Sequence, residues 1–343
     1  MFKARDSQLA RDIVDREQPT PNNAKAGPSK HTTVYTTVIV PGMPHDIEEP
    51  SRPIAWVPKV QSSWMNRFSG WAINILIKVG QYYRRYNNIE EKHVSLFLNN
   101  LIIHELPFNL IIKRSGHPVQ EAIATMTAHA MGLPVPRIIC YTEKDPKFGG
   151  YILMTRIPGE SLYDSCQSYS DEELFAIIDE VGDCLHKIRR FASPYGNAMC
   201  GPDGQHIYTR AMPDLNWRRC ESPEDYHDDM LSSLRRRRLQ DDYPEHYARV
   251  LKLKGRSYTT VFGHGDLHLG NIMVQNGRLT GIIDWEGGGW YPEYWDFVLP
   301  MPLWPPEWDW VVDLLYSISG GDEYEQERDA YHALIELIGH YYR

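Results

Sequence analysis

Apolar residues recur with different periods along the chain, and the change of period divides it into three parts. Residues 1–60 show no sustained periodicity and are rich in Pro, Asn, Ser and Thr, which predicts an irregular extension. Residues 61–156 contain short apolar runs bounded by turn residues, with helical patterns before and between them. Residues 157–343 are mainly helical in spacing. A strand-rich part followed by a helix-rich part predicts an α+β protein with two lobes.

The strand signals in the second part have one helix between them. The runs V-S-L-F-L, from Val94, and F-N-L-I-I-K, ending at Lys113, come first. A helix opened by Pro118 follows, and then residues 137–141 and 151–155 flank a turn rich in Gly, Pro and Asp. This order predicts a small sheet that includes a β-hairpin, with a helix beside it.

Two segments carry a helical apolar stripe. The stripe within residues 62–87 consists of Trp64, Phe68, Trp71, Ile75 and Val79. We interpret it as a helix facing the core, with a helix on a membrane surface as the alternative. A second helix is predicted to begin at Ser170, which forms a capping box with Glu173. Its stripe consists of Leu174, Ile177, Ile178, Val181, Leu185 and Ile188.

A predicted hairpin brings two oxygen-bearing side chains together. Asn276-Gly277 favours a two-residue type I′ turn that pairs Gln275 with Arg278. That register places Asn271 opposite Ile282, so that Asp284 lies one diagonal step away on the same face, about 7–8 Å from Asn271. An amide oxygen and a carboxylate, completed by phosphate oxygens and water, suit Mg²⁺ rather than zinc.

Asp266 precedes this hairpin in the segment H-G-D-L-H-L-G-N, residues 264–271. A carboxylate at this point could accept a hydrogen bond from a substrate hydroxyl and direct it at a phosphoryl group held by the metal. The two histidines, His264 and His268, have no third zinc ligand of suitable type, so we assign them to hydrogen bonding within the loop. Asp296 is interpreted as a structural acid that tethers this segment, and Glu286 as a residue lining the acceptor site.

This segment resembles the aminoglycoside phosphotransferase and choline kinase superfamily, which shares the protein-kinase fold. H-G-D-L-H-L-G-N stands where protein kinases have H-R-D-x-x-x-x-N, and I-D-W-E, residues 283–286, where they have D-F-G. The continuation G-G-G-W-Y-P-E-Y-W-D, residues 287–296, looks like the fungal branch. The resemblance implies a protein-kinase-like bilobal fold, with a small antiparallel-sheet N-lobe and a mainly helical C-lobe.

The resemblance also assigns roles to residues. It implies that Asp266 is the catalytic base or orienting group, that Asn271 and Asp284 bind magnesium, and that His264 braces the loop. It further implies that ATP is the phosphoryl donor and that the acceptor is a hydroxyl of a small molecule, with an amine-bearing molecule as one candidate.

In the N-lobe, the strand residue Lys113 and the helix residue Glu121 correspond to the ion pair with which kinases hold the α- and β-phosphates. The backbone of Thr155 and Ile157 falls where the family's hinge would bind adenine. One departure concerns the phosphate loop, since no glycine occurs between Val94 and Arg114. The preferred nucleotide is therefore left open.

Composition narrows the possible partners. The formal charge of −9 argues against nucleic-acid binding, which needs a basic surface. Five scattered cysteines without a C-x-x-C pair indicate reduced thiols and a cytoplasmic protein. The N-terminus lacks the apolar core of a signal peptide, and no apolar stretch is long enough to span a bilayer, so we expect no membrane partner. Oligomeric state is not predicted.

Two other functions remain open at this point. A catalytically idle nucleotide-binding scaffold on the same fold is favoured by the missing glycines and disfavoured by the intact Lys113, Asp266, Asn271 and Asp284. A protein kinase is disfavoured because no A-P-E motif follows Asp284.

Overall fold

A computed structural model describes residues 52–60, 62–87, 103–143, 150–207, 218–298 and 321–341. Most of the predicted extension and the predicted strand that starts at Val94 lie outside the described residues. Residues 53–343 form one compact unit. Among the described helices, none is long and apolar enough to cross a membrane.

The described strands of the small lobe are β1 (Ile103–Leu106), β2 (Leu110–Ser115), β3 (Ile138–Tyr141) and β4 (Gly150–Thr155). They form an antiparallel sheet with the order β1-β2-β4-β3. The pairing of β3 with β4 confirms the predicted hairpin. Two left-handed residues, Phe108 (φ 64°) and Asn109 (φ 59°), lie in the turn between β1 and β2.

Two helices pack against opposite faces of this sheet. Helix α1 (Ser63–Asn87) buries Ile73 against one face, where Ile112 and Leu153 also point. Helix α2 (Pro118–Ala130) covers the other face, where Ile152 contributes to the core. Because strand side chains alternate between faces, Lys113 lies on the α2 side while its neighbour Ile112 lies on the α1 side.

The prediction that the stripe of α1 faces the core is wrong. Trp64, Phe68, Trp71, Ile75 and Val79 are all exposed, and the helix packs through its opposite side. Gly80 lies on the packed side, where a Cβ would come within 2.9 Å of Leu106 Cδ2. The absence of a side chain there lets the helix approach β1 closely, so contacts distant in sequence select the buried face.

The large lobe is mainly helical. The described helices of this lobe are α3 (Leu162–Ser165), α4 (Asp171–Ile188), α5 (Pro223–Arg236), α6 (Leu239–Asp242), α7 (Pro244–Leu251), α8 (Trp295–Val298) and α9 (Glu325–Tyr341). Helix α4 begins with the predicted capping box between Ser170 and Glu173 and buries all six residues of its predicted stripe, as expected from the sequence. This arrangement, together with the small antiparallel sheet, confirms the predicted α+β, protein-kinase-like bilobal fold.

Short strands carry the segment with the chemical motifs. These strands are β5 (Glu160–Ser161), β6 (Thr260–Gly263), β7 (Ile272–Gln275), β8 (Arg278–Ile282) and β9 (Gly289–Pro292). Strands β5, β7 and β8 form a sheet with the order β5-β7-β8, and β6 pairs with β9.

The hairpin of β7 and β8 has the predicted turn and a different register beyond it. Asn276 (φ 54°) and Gly277 (φ 69°) are left-handed, and Gln275 pairs with Arg278 as predicted. An irregularity between Val274 and Met273 then shifts the pairing by one residue, so that Ile272, and not Asn271, lies opposite Ile282. A bulge of this kind inserts one residue on one strand, and the diagonal geometry predicted for Asn271 and Asp284 therefore does not apply.

Part of the predicted extension contacts the large lobe. The Ala55 N–H donates to the Ala192 carbonyl oxygen at 3.0 Å, and the Ala192 N–H donates to that of Pro53 at 3.0 Å. Ala55 is buried in the core that includes the stripe of α4. Residues 53–55 therefore lie against the large lobe, whereas α1, which follows them, lies against the small lobe.

Candidate active site

The loop that follows β6 is held by one carboxylate. Asp296, in the first turn of α8, accepts the N–H of His264 through Oδ2 and the N–H of Gly265 through Oδ1, each at 2.8 Å. Burial raises the pKa of the Asp296 carboxyl, and the two backbone donors oppose that shift. Asp296 is thus positioned as a tether of the loop backbone.

Gly265 allows the loop to pack against the segment that follows β8. Its φ is 76°, and a Cβ at this position would lie 2.2 Å from the Gly287 carbonyl oxygen. Neither the left-handed conformation nor this close approach suits a residue with a side chain. The glycine between His264 and Asp266 is therefore required by the backbone.

His264 joins the loop to the end of β8. Its Nε2 lies 2.9 Å from the Ile283 carbonyl oxygen, and the Asp266 N–H donates to its Nδ1 at 3.3 Å. Both contacts fit a neutral ring protonated at Nε2. Burial lowers the pKa of His264 to about 4, and the ring also packs on Trp285, with centroids 4.7 Å apart.

The Asp266 carboxylate is half-exposed, while its backbone is tied into the loop. Asn271 Nδ2 donates to the Asp266 carbonyl oxygen at 2.9 Å, which spans the D-x-x-x-x-N spacing. His268 Nε2 lies 3.9 Å from Asp266 Oδ2 and 3.2 Å from Asn271 Nδ2. His268 also accepts the N–H of Gly270 at 3.1 Å through Nδ1. The structure thus brings Asp266, His268 and Asn271 into one hydrogen-bonded loop.

Lys113 connects the two lobes. Its ammonium lies 2.8 Å from Glu121 Oε1 on α2 and 2.5 Å from Asp284 Oδ1, beyond the end of β8. Burial alone would lower the pKa of Lys113, but the Asp284 and Glu121 carboxylates outweigh it and hold the pKa above its usual range. Burial raises the pKa of the Glu121 carboxyl, and Lys113 opposes that shift. Lys113 is therefore a charged ammonium between carboxylates.

Asp284 belongs to a cluster of three carboxylates. Glu121, Asp284 and Glu286 each place an oxygen within 4.8 Å of the others. Asp284 has a left-handed backbone (φ 64°), an uncommon conformation for a residue other than glycine and one often found at functional sites. Three carboxylates facing one lysine leave excess negative charge in an enclosed place.

Gln120 belongs to the site but was not predicted from the sequence. Its side chain is buried, and its Nε2 donates to the Glu286 carbonyl oxygen at 2.6 Å. This bond ties α2 to the turn after Asp284. Periodicity could not reveal it, because Gln120 and Glu121 are adjacent in sequence and both buried, which a one-sided helix does not predict.

The proposed adenine contacts lie where β4 leaves the sheet. The Thr155 N–H donates to the Arg137 carbonyl oxygen at 3.1 Å, so a nucleotide contact at Thr155 would fall to its carbonyl oxygen. Ile157 packs against the backbone of β8, where a Cβ on Gly281 would lie 3.0 Å from Ile157 Cγ2. Thr155 is the last residue of β4, the strand next to the one bearing Lys113, and Ile157 follows that strand.

The sequence of residues 113–334 matches the model of the phosphotransferase enzyme family. The chain belongs to that family. This match covers more than half of the chain, includes Lys113 and the whole 264–296 segment, and confirms the resemblance drawn from the motifs. A comparison with curated protein sequences gives no match.

Several solved structures of aminoglycoside phosphotransferases are similar to this phosphotransferase-family chain. A thermostable mutant of aminoglycoside phosphotransferase APH(4)-Ia, in a complex with ADP and hygromycin B, has 16% identity and a TM-score of 0.49, with 76% of this chain and 88% of that chain covered. Aminoglycoside-3'-phosphotransferase of type VIII has 14% identity and a TM-score of 0.47, covering 76% and 98%. The streptomycin–ATP complex of APH(2")-IIa has 14% identity and a TM-score of 0.42, covering 75% and 85%.

Proposed function

We propose that this family member is an ATP- and Mg²⁺-dependent phosphotransferase that moves the γ-phosphoryl group to a hydroxyl of a small molecule. The observation that supports the proposal most is the pair of contacts made by Lys113, which joins Glu121 of the small lobe to Asp284 of the large lobe. A cation in this position can neutralise phosphate oxygens between the lobes. Family membership supports phosphoryl transfer as the reaction class.

Asp266 is proposed to orient the acceptor hydroxyl and accept its proton. Its carboxylate is half-exposed, whereas its N–H and carbonyl oxygen are both bonded within the loop. A fixed backbone with an accessible carboxylate meets the positional requirement for a general base. His268, 3.9 Å from the carboxylate, orients the loop through its contacts with the Gly270 N–H and the Asn271 side chain.

The residues present fit a magnesium ion. All the candidate ligands are oxygens, which Mg²⁺ prefers. When ionised, the three carboxylates around Lys113 carry three negative charges, and the lysine compensates one of them. Asp284, with the amide oxygen of Asn271, would hold the ion. When bound, Mg²⁺ would neutralise charge on the phosphates.

Glu286 is proposed to act at the phosphate end of the site. The sequence suggested an acceptor contact, but its carboxylate lies within 4.8 Å of those of Asp284 and Glu121. Asp296 is also less suited to contact an acceptor, since both of its oxygens accept backbone N–H groups. An amine-bearing acceptor would therefore have to be bound by residues other than these two.

The test is release of ADP from Mg²⁺-ATP over a panel of aminoglycosides, amino alcohols and neutral polyols. We expect at least one acceptor to stimulate ADP release, and we expect EDTA to abolish it. The Asp266→Asn variant serves as the control for contaminating kinases.

If nucleotide binds and no acceptor is phosphorylated, the protein is better described as a catalytically idle scaffold. The absence of glycine between Val94 and Arg114 favours that alternative. If neither nucleotide nor metal binds, both descriptions fail.

A further inference from the structure

The outward side of α1 is an unusual surface for a soluble helix. Seven large side chains along it are between 42% and 78% exposed. They recur every three or four residues over the whole helix, so they form one continuous stripe. The residues of this outer stripe are Trp64, Phe68, Trp71, Ile75, Val79, Tyr82 and Tyr86.

The helix cannot rotate to bury this outer stripe, because its other side is already packed. Ile73 is 1% exposed and lies in a core with Leu106, Ile112 and Leu153. Gly80 lies on the same face of α1 as Ile73, and its lack of a side chain lets this face pack closely against Leu106. The outer stripe is therefore exposed whenever α1 is packed on the small-lobe sheet.

The charge of α1 has one sign. The helix contains four basic residues, Arg67, Lys78, Arg84 and Arg85, and no acidic residue, in a chain whose formal charge is −9. The side chains of Lys78 and Arg85 are exposed. At about 100° per residue, both positions lie on the same flank of the outer stripe. Aromatic residues beside basic residues are the composition of helices that lie in the interface of anionic membranes.

We propose that α1 docks the protein on an anionic lipid surface, with the aromatic residues of the outer stripe inserted among the headgroups and Lys78 and Arg85 against the lipid phosphates. This would replace the expectation of no membrane partner.

A second copy of the chain fits the surface less well, since pairing two such helices would bring like charges together. Residues 1–51 fit it less well too, because they contain seven acidic and six basic residues and so offer little excess negative charge.

The placement leaves the candidate active site accessible. Ile112 points to the face of the sheet that α1 covers, and Lys113 points to the opposite face. A membrane bound through the outer stripe would therefore lie behind the small lobe. The inference does not depend on the proposed phosphotransferase activity.

The test is co-flotation of the full chain with vesicles of phosphatidylcholine alone and with about 30% phosphatidylserine. We expect binding to the anionic vesicles that weakens as salt rises. Trp64→Ala/Phe68→Ala/Trp71→Ala should reduce partitioning at least about tenfold. Lys78→Gln/Arg85→Gln should reduce it about tenfold or more at low salt.

Two matched controls lie elsewhere on the surface. Phe108→Ala removes an aromatic side chain that is 93% exposed, and Lys254→Gln removes an exposed lysine. Neither should change binding, and the thermal midpoint of the triple variant should stay near that of the parent, since its three residues are exposed.

Absence of flotation, or flotation indifferent to the triple variant, would overturn the proposal. So would a parent dimer, measured by light scattering, that the triple variant converts to a monomer, because the outer stripe would then be a contact between copies.

Discussion

The two sides of the candidate active site are held in place by different means. On the small-lobe side, Lys113 is positioned by charge, between Glu121 and Asp284. On the large-lobe side, the loop is positioned by backbone geometry, through Gly265 and the two N–H groups that Asp296 accepts. Lys113 can exchange one charged partner for another, whereas the loop cannot move without losing several hydrogen bonds at once.

This difference suggests a division of labour. A set of charges that can be repartnered suits the binding of a polyanion, whose phosphates would compete with the carboxylates for Lys113. A loop fixed by its backbone suits a residue that must be held still during the reaction, since misplacement by about 1 Å can cost 10²-fold in rate. Substitutions on the first side should change nucleotide affinity, and those on the second should change turnover or stability.

The largest effect is expected at Asp284. Asp284→Ala should lower turnover by about 10³-fold or more and also weaken Mg²⁺-ATP binding, because it removes a carboxylate both from the proposed metal site and from Lys113. Calorimetric titration of nucleotide with and without Mg²⁺ measures the affinity. Unchanged affinity would move the metal away from Asp284.

Asp266→Asn tests the other side. Turnover should fall by about 10²–10⁴-fold, the range for loss of a general base, while Mg²⁺-ATP affinity stays within a few-fold of the parent. Steady-state rates on the best acceptor from the panel, with the same titration, separate the two quantities. Near-parental turnover would remove Asp266 from catalysis.

Gly265→Ala should act on the loop itself. A Cβ 2.2 Å from the Gly287 carbonyl oxygen at a φ of 76° should destabilise the protein by about 1–3 kcal/mol and displace Asp266. Denaturant unfolding and turnover are the measurements. The exposed Gly255 has a similar φ, 73°, and a Cβ at that position would meet no atom within 4 Å. Gly255→Ala is therefore the control for the cost of the left-handed backbone without a steric clash.

Lys113→Ala should weaken Mg²⁺-ATP binding or lower turnover at least tenfold, about 1.4 kcal/mol. Lys113 is buried, so the variant also leaves Glu121 without its cation and should lower stability. Lys113→Ala/Glu121→Gln should regain part of the lost stability without regaining activity. Wild-type kinetics in Lys113→Ala would exclude Lys113 from nucleotide binding.

The smallest effect is a pH dependence of stability. Burial lowers the pKa of His264 and of His227 to about 4, so between about pH 6.5 and pH 4 the unfolded chain binds more protons than the folded one. Stability is therefore complete above pH 6.5 and falls as pH drops, by up to about 1.4 kcal/mol per pH unit for each histidine. Urea unfolding between pH 7 and pH 5 measures the slope. His264→Asn should reduce the slope of stability against pH, and so should His227→Asn, the matched variant remote from the loop. An unchanged slope in His264→Asn would show that this ring is already protonated in the folded state.

The sequence by itself determined what depends on near neighbours. The Asn276-Gly277 turn, the capping box at Ser170 and the buried stripe of α4 all follow from residues a few positions apart. Local chemistry decides these features because turn dihedrals, caps and helix periodicity are short-range. The D-x-x-x-x-N spacing likewise closes within one loop.

Only the tertiary structure decided what depends on distant partners. The stripes of α1 and α4 have the same period, yet α4 buries its stripe and α1 exposes one, because a period shows that two faces differ and not which neighbour covers either face. The bulge between Met273 and Val274 and the contact of Lys113 with Asp284, 171 residues apart, could not be predicted from the sequence either. Packing and charge pairing between lobes set these features, and neither has a local signature in the sequence.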